Sequence, residues 1–273
     1  MNGLIINNVG VRYGPRTVLK DFTLPELCPG EVTVLAGPNA AGKSTALRAI
    51  AQMLPHHGDM SLDGENLAHM PFARRAQVMG FMPQSLPTGV SLNAIESVIA
   101  AFRAGHASPA QGADEKAMDT LARLGIEALA LEPLNRLSGG QRQMVGLAQA
   151  IVRDPKLLLL DEPTSALDLS RQMRLLSEIR RLASEGRIVI LVMHDLALAA
   201  RWADRIALVH DGKIHSQGPP DKVVTPTMIA EVYGVSGRIE RCSHGHIMVM
   251  IDGEIGSEIE GQNETPRNGD ERA

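Results

Sequence analysis

Residues 37–45 read Gly37-Pro38-Asn39-Ala40-Ala41-Gly42-Lys43-Ser44-Thr45. This is a phosphate-binding loop of the form G-x-x-x-x-G-K-[ST]. Its glycines let backbone N–H groups crowd a triphosphate, Lys43 adds a point charge, and Ser44 offers a hydroxyl to Mg²⁺. The flanks supply the context such a loop requires. Val32 to Ala36 is a short apolar run of buried-strand length, and Leu47, Ile50, Ala51 and Leu54 recur at helical spacing before Pro55. Strand, glycine loop and helix in that order predict a nucleotide site.

Three further stretches supply chemistry to that site. Leu157-Leu158-Leu159-Leu160-Asp161-Glu162 is an apolar strand that delivers a carboxylate at its C-terminal end, beside Ser44 and the metal. Mg²⁺ is satisfied by a few oxygen ligands plus water, so Ser44, Asp161 and phosphate oxygens suffice. Glu162 is then the general base or water-positioning carboxylate. His194 follows the apolar run 188–193 and precedes Asp195, so it also sits at a strand's C-terminal edge, within reach of a γ-phosphate or the attacking water. Gln84, in Phe81-Met82-Pro83-Gln84, is either an ordinary loop glutamine or an amide shared between metal and water. Tyr13 is one of only seven aromatic residues in the chain, and is either a core-packing strand residue or a ring that stacks on a base. Finally, Leu137-Ser138-Gly139-Gly140-Gln141 heads a helix. Ser138 is a good N-cap, and the exposed N–H groups there form a second anion site. Because the loop at Lys43 already holds a triphosphate, the Ser138 segment is expected to serve the nucleotide of a second copy of the chain.

The bulk composition narrows the class. With 273 residues, 44% hydrophobic and 21% charged, the chain has room for a sizeable core plus an inserted subdomain. Cys28 and Cys242 are the two cysteines, too few for a disulfide framework. No run reaches membrane-spanning length and no basic leader opens the chain, so any membrane role is expected to come through a partner. Seven acids against two arginines from Ile251 to Ala273 predict a solvated, disordered tail at 255–273. The remaining charges nearly balance, which excludes a basic nucleic-acid footprint. Residues 4–34 read as short strands with a turn at Tyr13-Gly14-Pro15. Residues 58–65 read as a hairpin turning at Asp63-Gly64. Helical periodicity from about 91 to 153, broken at 105–112, predicts an inserted helical subdomain. Strands at 157–160, 188–193 and 205–209 alternate with helices within 168–184 and from about 195. The expected fold is α/β: a P-loop NTPase core with a mostly parallel sheet covered by helices on both faces, antiparallel strands at the N-terminus, and the helical insertion. Cys242, His244 and His246 present a C-x-H-x-H spacing that is either a metal site or exposed residues of a terminal hairpin.

In this order the pieces resemble the ATP-binding cassette (ABC) ATPases, over about residues 1–235. The resemblance implies that Tyr13 is the adenine-stacking aromatic, 37–45 the Walker A loop, and Gln84 the link to a transmembrane partner and a metal ligand. It likewise implies that 137–141 is the family signature, 157–162 Walker B, Ser165-Ala166-Leu167-Asp168 a dimer-contacting loop, and His194 the switch histidine. The stretches 147–150, 164–172, 194–204 and 217–235 are similar to importer subunits for iron-siderophore, haem or cobalamin permeases. The family's properties then imply ATP and Mg²⁺ as cofactors and a homodimer with ATP sandwiched at its interface. They also imply two permease subunits, an indirect periplasmic substrate-binding protein, no nucleic acid, and a peripheral location on the cytoplasmic face of the inner membrane. The domains expected are an ATPase domain at 1–235, with the helical subdomain at about 88–155, then an extension at 236–254 and the acidic tail. A soluble ABC ATPase without a permease, such as an iron–sulfur assembly factor, is the alternative. One departure stands out: Ala40 occupies a position where the family usually has glycine.

Overall fold

The computed structural model describes residues 3–86, 91–104 and 111–255. The sequence break at 105–112, the stretch after Gln84 and the acidic tail therefore fall wholly or partly outside the described residues. Two long strands open the chain, β1 (Leu4–Tyr13) and β2 (Arg16–Leu27). They pair antiparallel around the turn at Gly14-Pro15, and β1 also pairs with β4 (His57–Leu62), whose own neighbour is β5 (Glu65–Asn66). The expectation of short strands here is corrected. Register shifts and left-handed residues (Asn8, Asp21) bend these strands, and such bulges interrupt the alternation that would reveal their length.

The central sheet explains the rest of the fold. Its strands are β3 (Val32–Ala36), β6 (Met79–Met82), β7 (Leu157–Asp161), β8 (Ile188–Val192), β9 (Arg205–His210) and β10 (Lys213–Gly218), in the spatial order β10-β9-β3-β8-β7-β6. All pair parallel except β10, which returns antiparallel on β9. Every residue of β3, β7 and β8 is buried, as unbroken Val/Ile/Leu runs require when both faces are covered. The two-residue pleat splits them between two cores. Val32, Val34, Leu158, Leu160, Val189 and Leu191 face one side, and Leu35, Leu157, Leu159, Ile190 and Val192 the other.

Helix α1 (Lys43–Ile50) lies on the second face, beneath the antiparallel sheet. Helix α2 (Phe72–Val78) precedes β6. Helices α3 (Ala94–Arg103), α4 (Ala113–Arg123) and α5 (Gly139–Ile151) pack together on the first face, followed by α6 (Leu169–Ser184) and α7 (Leu196–Trp202). Helix α1 ends sooner than its apolar spacing predicts, since Gln52 turns left-handed at φ 58° and carries Leu54 out of the helix. The described chain closes with the hairpin β11 (Val235–Arg241) and β12 (Ile247–Glu254). No helix among the described residues is long and apolar enough to cross a membrane.

Candidate active site

Four neighbouring parallel strands deliver the site at their C-terminal ends. Along that edge β3 presents the loop to Lys43 and Ser44, β8 presents His194, β7 presents Asp161 and Glu162, and β6 presents Gln84. Ligands bind at this edge in open α/β sheets. A cavity of about 820 Å³ opens there, lined by Tyr13, Arg16, Val18, Asn39, Ala40, Gly42, Lys43, Ser44, Thr45, Gln84, Glu162 and His194. That volume suits a nucleotide.

The loop's shape comes from backbone that side chains would block. At Gly37, φ is 139° and a Cβ would lie 2.1 Å from the Val209 carbonyl oxygen. Gly42 caps α1 in the left-handed region at φ 106°. Between them Ala40 is also left-handed, at φ 62°, so the departure noted in the sequence is a real conformational load. A non-glycine residue there costs about 1–2 kcal/mol, offset in part by glycine's larger entropy loss on folding. Ala40→Gly is expected to stabilise the protein by up to about 1 kcal/mol, a melting-temperature rise of roughly 2 °C. An unchanged or lower melting temperature in calorimetry would show that the loop relaxes around alanine.

Lys43 is 5% exposed. Its ammonium donates to the carbonyls of Gly37 (2.8 Å) and Pro38 (2.6 Å), folding the side chain back over the loop it serves. Burial lowers its pKa, while Glu162 and Asp161 pull the other way. Ser44 Oγ donates to Asp161 Oδ1 at 2.8 Å, so helix and strand bring together the two oxygen donors expected to hold Mg²⁺. The second oxygen of Asp161, Oδ2, is buried with no hydrogen-bond partner among the described residues. An orphaned carboxylate oxygen beside a hydroxyl is the donor set a hard divalent cation takes, so the residues fit Mg²⁺.

Burial raises the Asp161 pKa, opposed first by the Ser44 hydrogen bond. With the folded pKa above the unfolded one, Asp161's contribution to stability is full below the unfolded value. It is lost as pH rises through the folded value. Asp161→Asn is therefore expected to raise the melting temperature of the nucleotide-free protein at neutral pH. The gain should vanish as pH falls into the carboxyl range, where Asp161 itself protonates. Thermal melts across pH check this, and a lower melting temperature at neutral pH would contradict it.

Glu162 is held from both sides. Its Oε1 meets His194 Nε2 at 2.5 Å, and its Oε2 accepts from Gln84 Nε2 at 2.8 Å. Its backbone is left-handed at φ 50°, an unfavourable conformation for a residue other than glycine, and its side chain lines the cavity with the phosphate loop. Gln84 forms no hydrogen bond with Ser44 or Asp161 among the described residues; its side chain orients the glutamate.

Tyr13 is exposed at one end of the cavity, directly opposite Arg16 in the β1–β2 hairpin. Sequence reasoning passed over Arg16 and Val18, which line the same end. The only available signal was their nearness to Tyr13. Ser138, Gly139, Gly140, Gln141 and Asp168 lie outside this cavity. Ser138 caps α5 as expected, its Oγ accepting from Gln141 N at 3.2 Å while Gln141 Oε1 accepts from Ser138 N at 2.7 Å. Asp168 caps α6 through the Arg171 amide, and Leu169 next to it is 81% exposed. Cys242, His244 and His246 lie at the tip of the β11–β12 hairpin, where the Cys242 amide donates to the His246 carbonyl. No cluster of three metal-ligating side chains occurs among the described residues.

A phosphate cradle facing a carboxylate fixed from two sides is the arrangement of a P-loop nucleoside triphosphatase. The chain belongs to the ABC transporter family, whose model matches residues 20–165. It is an ATPase whose turnover is coupled to transport. It is 38% identical over 243 residues to the hemin import ATP-binding protein HmuV of Gloeobacter violaceus, covering 85% of this chain and 88% of that protein. The protein of the same name from Pseudomonas aeruginosa is 36% identical, over 90% of this chain and 99% of the relative. Among solved structures, the ATP-binding subunit of an ABC transporter is 27% identical with a TM-score of 0.72, covering 81% of this chain and 92% of that one. A dimeric bacterial ABC transporter cassette is 28% identical with a TM-score of 0.71, covering 80% and 98%.

Proposed function

We propose that the chain is the ATP-hydrolysing subunit of a bacterial haem importer, acting as a homodimer on two permease subunits at the cytoplasmic face of the inner membrane. The cargo rests on the relatives named as hemin import ATP-binding proteins, matched over nearly their whole length. Siderophore complexes and cobalamin are the other cargoes the sequence texture allows. A periplasmic binding protein supplies the cargo to the permease.

The single observation that carries the mechanism is the division of parts. Loop, Glu162 and His194 share one cavity, while the Ser138 segment and Asp168 stand outside it on the same chain. Each ATP is therefore sandwiched between one chain's loop and the other's Ser138–Gln141. Tyr13 stacks on adenine, and the amides of Gly37 to Thr45 with Lys43 hold the phosphates. Ser44 and Asp161, together with Gln84, would hold Mg²⁺, which would supply positive charge to the phosphates. Glu162, oriented by His194 and Gln84, accepts a proton from the attacking water. Loss of the bridging γ-phosphate reopens the pair. Residues 1–235 form the ATPase domain. Gln84 and the neighbouring stretch to about Arg103 receive a cytoplasmic helix of the permease, the helical subdomain spans about 88–155, and 236–254 extends the domain.

The test is reconstitution. Expressed with a haem permease from the same organism, the chain should co-purify with that polytopic partner and drive ATP-dependent haem uptake into proteoliposomes. Failure to co-purify, or uptake of cobalamin in place of haem, would overturn this assignment.

A further inference from the structure

We infer that Gln143 is a positioning residue that ties the signature helix of one chain to the catalytic glutamate of that same chain, and so couples the two ATP sites of the dimer. The inference rests on the sandwich reading above.

Gln143 lies on α5, five residues beyond Ser138, and is only 6% exposed. Its amide makes three hydrogen bonds, all to the segment that follows β7. Nε2 donates to the Glu162 carbonyl (3.3 Å) and to Ser165 Oγ (2.9 Å), and Oε1 accepts from the Ala166 amide (3.3 Å). Ser165 Oγ in turn donates to the Glu162 carbonyl at 3.2 Å. A buried amide with this many partners holds its neighbours in one arrangement, because loosening it strands several polar groups.

A second, independent feature joins the same two elements. The start of α5 is pressed onto the loop, where a Cβ at Gly139 would lie 3.2 Å from Ala166 Cβ. One at Gly140 would lie 3.1 Å from both the Ala166 carbonyl oxygen and Leu167 Cδ2. The paired glycines therefore permit close packing as well as exposing N–H groups. Beyond the loop, Asp168 caps α6 beside the exposed Leu169.

The consequence is mechanical. When the α5 start seats on the partner's nucleotide, its position is passed through Gln143 to the backbone of Glu162, whose side chain faces the chain's own nucleotide. Coupling of this kind needs a two-state element that both sites bias, and the joined unit of α5 and residues 162–168 is that element. A small displacement of a catalytic group lowers turnover far more than it lowers ground-state binding.

The experiment measures ATP hydrolysis against ATP concentration for the full chain assembled with its permease. It compares wild type, Gln143→Leu, Gln143→Glu and Ser138→Arg, with binding of a fluorescent ATP analogue and melting temperature read in parallel. Gln143→Leu removes all three hydrogen bonds at similar volume. Gln143→Glu keeps the shape and the acceptor for Ala166 but loses the donor. Both are expected to lower kcat about tenfold or more with KM and analogue affinity within about twofold, and to bring the Hill coefficient down towards one. A kcat within twofold of wild type, or an unchanged Hill coefficient, in either folded variant would overturn the inference. So would a loss of turnover that merely tracks lost ATP binding or a collapsed melting temperature in both variants, since Gln143 would then serve the fold alone. Wild-type turnover in Ser138→Arg would instead show that the sandwich reading failed, whatever the Gln143 variants do.

Discussion

Glu162→Gln is expected to bind Mg·ATP and not turn it over, with kcat reduced about 10³-fold, inside the range typical of losing a positioned general base. The substitution changes one oxygen to an amide nitrogen and leaves size and shape alone. Glutamine at this position can keep one of the two contacts, to His194 Nε2 or to Gln84 Nε2, but it cannot accept a proton from water. Affinity should be retained, because in the proposed site the phosphates are held by the loop amides and Lys43 rather than by Glu162, which lines the same cavity. ATP should then accumulate uncleaved, visible as nucleotide retained through gel filtration. Hydrolysis at the wild-type rate would mean that Glu162 is not the base and that its clamped pose serves another purpose.

Ser138→Arg is expected to abolish turnover and transport, by about 100-fold or more, while sparing nucleotide binding by the isolated chain. Ser138 lies outside the cavity that Lys43 lines, so in the proposed sandwich it touches the nucleotide of the facing chain and not its own. The substitution has two costs with separate signatures. Loss of the cap to Gln141 N costs about 1 kcal/mol and shows as a modest drop in melting temperature. The bulk of arginine at the helix start blocks seating over phosphate and shows as lost hydrolysis. Ser138→Ala, which loses the cap without adding bulk, separates the two and should keep most of the activity. Retained ATP-driven transport in Ser138→Arg would remove the reason for assigning the signature to the partner's site.

Residues whose chemistry needs a fixed local pattern were legible from the sequence. The phosphate loop, the strand ending in Asp161-Glu162, and the capped start of α5 are read locally because backbone geometry demands their glycines, apolar runs and caps. Their convergence was less legible. It depends on the order β3-β8-β7-β6 along the sheet edge, which comes from crossovers that no local pattern states. Residues 72–82 escaped as α2 and β6 because Gly80 interrupts the strand signal. There a Cβ would lie 2.1 Å from the Ala150 carbonyl oxygen, so the glycine marks a close approach by the end of α5 rather than a turn. Gln143 carried no signal at all. A glutamine inside a helix reads as solvent-facing, and only burial against the loop after β7 reveals its three partners. Ala40 shows the converse. The sequence flagged the substitution, and the left-handed φ shows why it matters.

The claim on which the rest depends is that ATP itself holds two chains together, each closing the other's site. The measurement that tests it most directly is the mass of Glu162→Gln in solution, by light scattering, with and without Mg·ATP. The prediction is one chain without nucleotide and two chains carrying two ATP with it, the pair being lost again in the Glu162→Gln/Ser138→Arg double variant. A single chain at saturating Mg·ATP, or a pair that survives Ser138→Arg, would contradict it.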